Sequence, residues 1–339
     1  MTAADGAARA ASPRGGRNTA SSRLARLLAC AALCAGAAQA QAQAPRGSGP
    51  YPAIMLQEPG LPTHTVYRPA DLGATGPARL PIVAWGNGAC VNVGNTFRYF
   101  LTEIASHGFV AIATGPVGSP RAETFSGGLE RGQPAAGSPG ARHGASAPAP
   151  GILPPADTTA AQLTDAIDWA VAENARPGSP YHGKLDTARI AVMGQSCGGL
   201  QATAAARDPR VSVLGVWNSG LFPDADLTRA IAAAEAPKSL LAQLRVASIY
   251  VTGDASDQAF ANADDDFARV AGPTLRLWRE RTGHGGTYGE PDGGAFGKVA
   301  VAFLKWRLQG DRAAAGQFAG PDCGLCRQPE WHLRSRNID

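Results

Sequence analysis

Three kinds of residue in the second half of the chain could together break an acyl bond: a serine in a glycine knot, a set of aspartates, and a histidine among glycines. The serine is Ser196, in "RIAVMGQSCGGLQATAAA" (189–206). Gly194, Ser196 and Gly198 fit G-x-S-x-G, with a strand-like run before and an alanine-rich, helix-like run after. On such a turn the hydroxyl stands out above the sheet. Side chains two positions to either side would collide there, so they must be small. The positive end of the helix that begins at the turn favours an oxyanion. The competing reading is a small residue in a tight loop.

A serine at its ordinary pKa is a poor nucleophile and needs a base. Sites of this kind run serine, then Asp or Glu, then histidine along the chain. Two histidines follow Ser196. His284 lies in "RTGHGGTYG", in the loop directly after "TLRLWRE", where the base belongs; His332, beside Trp331, reads as structural. The acid is expected after the preceding strand, in "VTGDASDQAFANADDDF". Asp254 directly follows the strand-end glycine. Asp257 is one turn further on and can turn its carboxylate toward the imidazole, so Asp257 is taken as the acid and Asp254 as its alternative. The run Asp264 to Asp266 reads as a solvated helix start.

These residues need a sheet to hold them. "RLPIVAWGNGAC" (79–90) holds a buried strand ending in glycines. Asn95 can cap the helix "NTFRYFLTEIASHG", ended by Gly108, and "FVAIAT" (109–114) is the next buried strand. Strand, helix, strand in so short a span is a βαβ unit and implies a parallel sheet. "TTAAQLTDAIDWAVAENA" (158–175) is an amphipathic helix. "ARIAVMG" (188–194), "VSVLGVWN" (211–218), "ASIYVTG" (247–253) and "TLRLWRE" (274–280) are strands, and "AFGKVAVAFLKWRLQG" (295–310) is the last helix. About six parallel strands result. "YPAIMLQEPGLPTHTVYRPA" (51–70) adds an antiparallel pair in front, about eight strands in all. Residues 115–157, rich in Gly, Pro, Ser and Ala, form a long loop, read either as a rim over a cleft or as a surface insertion.

The 339 residues are 44% apolar and 17% charged, enough to bury a core. Residues 1–44 read as a signal peptide and leader: four arginines from Arg14 to Arg26, the apolar run "LARLLACAALCAGAAQA" (24–40), and Ala38-Gln39-Ala40 as an A-x-A cleavage site. Cleavage near Ala40 to Ala44 would send the protein out of the cytoplasm, secreted or periplasmic. The apolar run is too short and alanine-rich for a stable membrane anchor. A lipoprotein site at Cys30 is disfavoured by the little apolar sequence before it. The formal charge is +4, but the leader holds five arginines and one acid, so the mature chain carries 26 groups of each sign. No basic stripe remains for a phosphate backbone, which excludes nucleic acid as a partner. The expected domains are thus the 1–44 leader, a catalytic domain over 45–310, and a 311–339 tail containing "CGLC".

The pieces "VAWGNGAC", "GQSCGGLQA", "TGDASDQAF" and "GHGGTYG" together resemble secreted α/β-hydrolases of the esterase group that includes chlorophyllase-like, dienelactone-hydrolase-like and polyester-hydrolase-like proteins. The likeness spans residues 80–310. It implies the α/β-hydrolase fold, a mostly parallel sheet with helices on both faces. It also implies an oxyanion hole of two backbone N–H groups: that of Asn87, with Gly88 as alternative, and that of Cys197 after the nucleophile. Here an Asn-Gly stands where lipases of the group often carry glycines or an aromatic, so the acyl pocket is not fixed by the resemblance. In this fold the strands leading to Cys90 and Ser196 are neighbours, so a Cys90–Cys197 disulfide tying the two donor loops is expected, against a pair of buried thiols. Four cysteines survive removal of the leader, an even number that suits disulfides in an exported chain. Cys323 and Cys326 lack the frame of a redox motif or a second pair for zinc, and are expected to form a local structural disulfide.

The expected protein is a carboxylic ester hydrolase acting on a small-molecule or polymeric ester, with Ser196, His284 and Asp257 as its triad and no metal or organic cofactor. An acyltransferase or amidase would use the same residues. An inactive hydrolase scaffold that binds would lack a triad member, and none is missing. A thiol–disulfide oxidoreductase using "CGLC" would leave the triad unexplained.

Overall fold

The computed structural model describes residues 45–118, 156–222 and 236–338. The leader with its cleavage site, and most of the 115–157 loop, lie outside the described residues.

Nine strands form one sheet in the order β1-β2-β4-β3-β5-β6-β7-β8-β9. β1 (Ala53–Leu56) and β2 (His64–Pro69) pair antiparallel at one edge. β3 (Leu80–Gly86), β4 (Val110–Thr114), β5 (Leu185–Gln195), β6 (Val211–Trp217), β7 (Ala247–Gly253) and β8 (Thr274–Arg279) run parallel. β9 (Trp331–Arg336) pairs antiparallel with β8 and closes the other edge. About eight strands were expected; β9 is the additional one, and its residues 331–336, expected in the tail, lie in the sheet. Its sequence, "WHLRSR", is too polar to signal a buried strand, which suits an edge position.

The interior strands alternate with period two. Ile82, Ala84, Val110, Ile112, Ile190, Val192, Leu214 and Val216 point to one face, and Val83, Trp85, Ala111, Ala113, Ala191, Met193, Val213 and Trp217 to the other. Helices cover both. α1 (Arg98–Ser106) and α5 (Gly294–Leu304) pack on the second face through Phe100, Leu101, Ile104, Phe296 and Phe303. α2 (Ala160–Ala175), α3 (Cys197–Ala205) and α4 (Phe260–Arg269) contribute Leu163, Ile167, Leu200, Ala202 and Ala263 to the first. A short α6 (Arg312–Ala315) follows α5.

Two local readings change. Asn95 does not cap α1, because the cap position is Phe97 and the Asn95 side chain accepts from the Gly118 N–H at 2.8 Å. The Asp264 to Asp266 run lies inside α4, not at its start, and Asp266 is fully buried. It accepts from the Leu221 N–H at 2.7 Å and pairs with Lys238 at 2.8 Å. Burial pushes its carboxyl up to about 6 despite that partner.

Candidate active site

β3 and β5 are neighbours, with Gly86 level with Gly194. Their carboxyl ends therefore deliver Asn87 and Ser196 side by side. Ser196 sits at φ 52°, ψ −119°, a backbone region that L-residues rarely occupy and that costs about 1–3 kcal/mol. Its N–H donates to the Trp217 carbonyl at 2.9 Å, and α3 begins at the next residue. The glycines of the motif are required by space. A β-carbon on Gly194 would lie 2.2 Å from the Gly198 carbonyl oxygen, and one on Gly198 would lie 2.0 Å from that of Gly86. The Ser196 turn and β3 approach as closely as backbones can.

His284, in the loop after β8, places Nε2 2.9 Å from Ser196 Oγ. Its Nδ1 lies 2.7 Å from Asp257 Oδ1. Asp257 comes from the loop after β7. Asp254 makes different contacts, its carboxylate accepting from the Ser256 N–H and hydroxyl. Asp257 is buried and accepts further N–H bonds from Ala259 (3.0 Å) and Gly253 (3.0 Å) and from the Asn218 amide (2.7 Å). Burial alone would push its carboxyl up. The His284 interaction and the Ala259 and Asn218 donors outweigh that and hold it below the usual carboxylate value.

The Ser196 side opens onto a cavity of about 530 Å³. Its wall includes Ala89, Leu200, Phe222 and Ala259, together with Ser196, Cys197 and His284. Such a concave, mostly apolar space beside a few polar groups is what a small-molecule acyl or alcohol group would fill.

Cys90 and Cys197 are disulfide-bonded, with Cα atoms 5.3 Å apart, and join the turn after β3 to the start of α3. That turn is strained, since Ala89 and Cys90 both have positive φ (52° and 51°). It is held by several bonds besides the disulfide. The Asn87 amide donates to the Thr114, Val93 and Val91 carbonyls (2.6, 3.0 and 3.1 Å), and the Thr158 hydroxyl donates to the Cys90 carbonyl (3.0 Å). Gly88 lies between Asn87 and the exposed Ala89, close under the Gln195 side chain. Cys323 and Cys326 form the second disulfide, with Cys323 buried in the same core cluster as Trp331. His332 stacks on Trp278 and bonds Glu280 at 2.7 Å. Among the described residues no group of three or more His, Cys, Asp or Glu could hold a metal ion. No helix of those residues is long and apolar enough to cross a membrane.

Three residues of the site carry no sequence signal of their own. Gln195, the x of the motif, donates to the His284 carbonyl at 3.1 Å. Asn218, directly after β6, bonds Asp257, and the Tyr288 hydroxyl bonds Asn218 at 2.5 Å. A strand-end asparagine and a tyrosine four residues beyond His284 become visible as site residues only once the sheet brings them together.

The fold and the order of these elements are those of an α/β-hydrolase. Residues 151–271 match the family model PETase, described as PET hydrolase-like, a polyester hydrolase family of this fold. The matched stretch contains Ser196 and Asp257 and stops before His284. No curated protein matches the chain.

Proposed function

We propose that this is an exported serine hydrolase of carboxylic esters. Ser196 attacks the ester carbonyl while His284 Nε2 takes its proton. The same nitrogen then protonates the leaving alcohol. Asp257 holds the ring so that Nδ1 carries the proton and Nε2 is free to accept. The N–H groups of Asn87 and Cys197 receive the oxyanion, the second helped by the positive end of α3. Water, deprotonated by His284, then releases the acid from Ser196. The cycle needs no metal or organic cofactor.

The single observation that carries this reading is the unbroken line from Asp257 through His284 to Ser196, at 2.7 and 2.9 Å, facing an apolar cavity. Support for an ester, small or polymeric, comes from the PET hydrolase-like match. Residues 45–339, one compact unit that includes β9, would be the catalytic domain and 1–44 the export signal. The two disulfides suit an oxidising compartment. The test is hydrolysis of p-nitrophenyl esters from acetate to decanoate by the mature protein and by Ser196→Ala. The expected result is turnover that falls by about 10⁴-fold or more in the variant. Equal activity in both proteins would remove Ser196 from the mechanism.

A further inference from the structure

We propose that Asn218 and Tyr288 are positioning residues for this hydrolysis: they lock the Asp257 carboxylate, and through it the His284 ring, in line with Ser196. The inference rests on the esterase reading above.

The directions of the bonds leave one arrangement. An ionised carboxylate only accepts, so Asn218 must present its amide N–H to Asp257 Oδ2, at 2.7 Å. The amide oxygen then faces the Tyr288 hydroxyl at 2.5 Å, and a carbonyl oxygen only accepts, so the phenol donates. Burial pushes that phenol well above its ordinary value, so it keeps its proton and remains a donor. The tyrosine ring cannot turn away. Phe97, Phe100 and Phe296 meet it edge-on, with centroids 5.1, 5.2 and 5.4 Å away.

Asn218 is placed with equal care. Its φ of 40° is a left-handed conformation that asparagine tolerates better than most residues. Its N–H donates to the Val251 carbonyl at 2.7 Å, and its amide also reaches the Gly283 carbonyl at 3.3 Å, one residue before His284. One side chain thus touches both the acid and the loop carrying the base. Without it, Asp257 Oδ2 would retain only the Gly253 N–H. The carboxylate could then swing, and Oδ1 would leave the imidazole.

The test uses Tyr288→Phe and Asn218→Gly, glycine being chosen because a φ of 40° is open to it. Kinetics on p-nitrophenyl butyrate are combined with the downfield proton signal of His284 Nδ1–H. We expect kcat to fall about tenfold in Tyr288→Phe, the size of one lost hydrogen bond, and about 100-fold in Asn218→Gly, with KM within about twofold. The double variant should be no worse than Asn218→Gly, since Tyr288 acts through Asn218. The His284 proton should shift in both single variants. Folded variants with wild-type kcat and an unmoved proton would overturn the proposal, as would losses that multiply in the double variant. Failure of the esterase reading would look different: Ser196→Ala would keep wild-type turnover, while the His284 proton would still report whether Asn218 and Tyr288 hold the ring.

Discussion

The two faces of the sheet are built from different materials. One face is aromatic: Trp85, Phe97, Phe100, Trp217, Tyr288, Phe296 and Phe303 form a continuous buried layer under α1 and α5. The other face is made largely of Ala, Val, Leu and Ile, and α3 crosses it with "CGGLQATAA". The difference follows from what each must do. Large rings bury much area and fix one another's positions. Small residues bury little but let α3 come within backbone contact of β3 and β5, which the strained Ser196 turn requires. A face that gains closeness at the expense of buried area needs another restraint. It has one in Cys90–Cys197, which spans 107 residues of chain, whereas the disulfide on the aromatic side, Cys323–Cys326, spans only three.

The largest effect is expected from removing the long cross-link. Replacing Cys90 and Cys197 by serine should lower the free energy of unfolding by about 4–5 kcal/mol, measured by urea denaturation. A loss under about 1 kcal/mol would mean that packing alone holds the small-residue face. Next comes the aromatic face. Phe303→Ala, which removes a buried ring packed on Trp306 and Phe318, should cost about 3–5 kcal/mol of stability, yet leave kcat of the folded enzyme within a few-fold. A collapse of kcat at unchanged stability would reverse the roles assigned to the two faces. Opening Cys323–Cys326 with a pair of serines should cost about 2 kcal/mol, because so short a loop constrains the unfolded chain little.

The smallest effects concern pH, and two buried aspartates should act with opposite sign. Asp266, under the small-residue face, has its folded pKa raised to about 6. Its contribution to stability is therefore full below the unfolded value, about 4, and is lost as pH rises through about 6. Asp257 has its folded pKa lowered. Its contribution is present above about pH 4 and is lost as pH falls through the depressed value. Melting temperatures from pH 3 to 7 should show the decline between about pH 4 and 6 flattened in Asp266→Asn, and the acid-side decline flattened in Asp257→Asn. The same slopes in both variants as in wild type would contradict these assignments.

The contrast between the faces also explains what could be read from the sequence. Period-two apolar runs and the G-x-S-x-G turn announce six parallel strands and the place of Ser196, because both signals are local. β9 gives no such sign, since an edge strand such as "WHLRSR" buries little. Asp254 and Asp257 differ by a single turn of chain. Only the tertiary arrangement separates them, setting Asp257 at 2.7 Å from His284 and Asp254 against Ser256. Asn218 and Tyr288 were illegible for the same reason: each is an ordinary polar residue until the aromatic layer carries the phenol under the end of β6. The burial of Asp266 was hidden by its neighbours, since three successive aspartates look solvated in any linear reading.

The most direct test of the account is covalent labelling of the nucleophile. The mature protein would be treated with a fluorophosphonate and the adduct mapped by mass spectrometry. One adduct per chain is expected, on Ser196, formed rapidly in the wild type and not detectably in His284→Ala, because the serine depends on the imidazole to lose its proton. A folded protein that stays unlabelled, or one labelled at another residue, would contradict the claim that Ser196 is the nucleophile of an ester hydrolase.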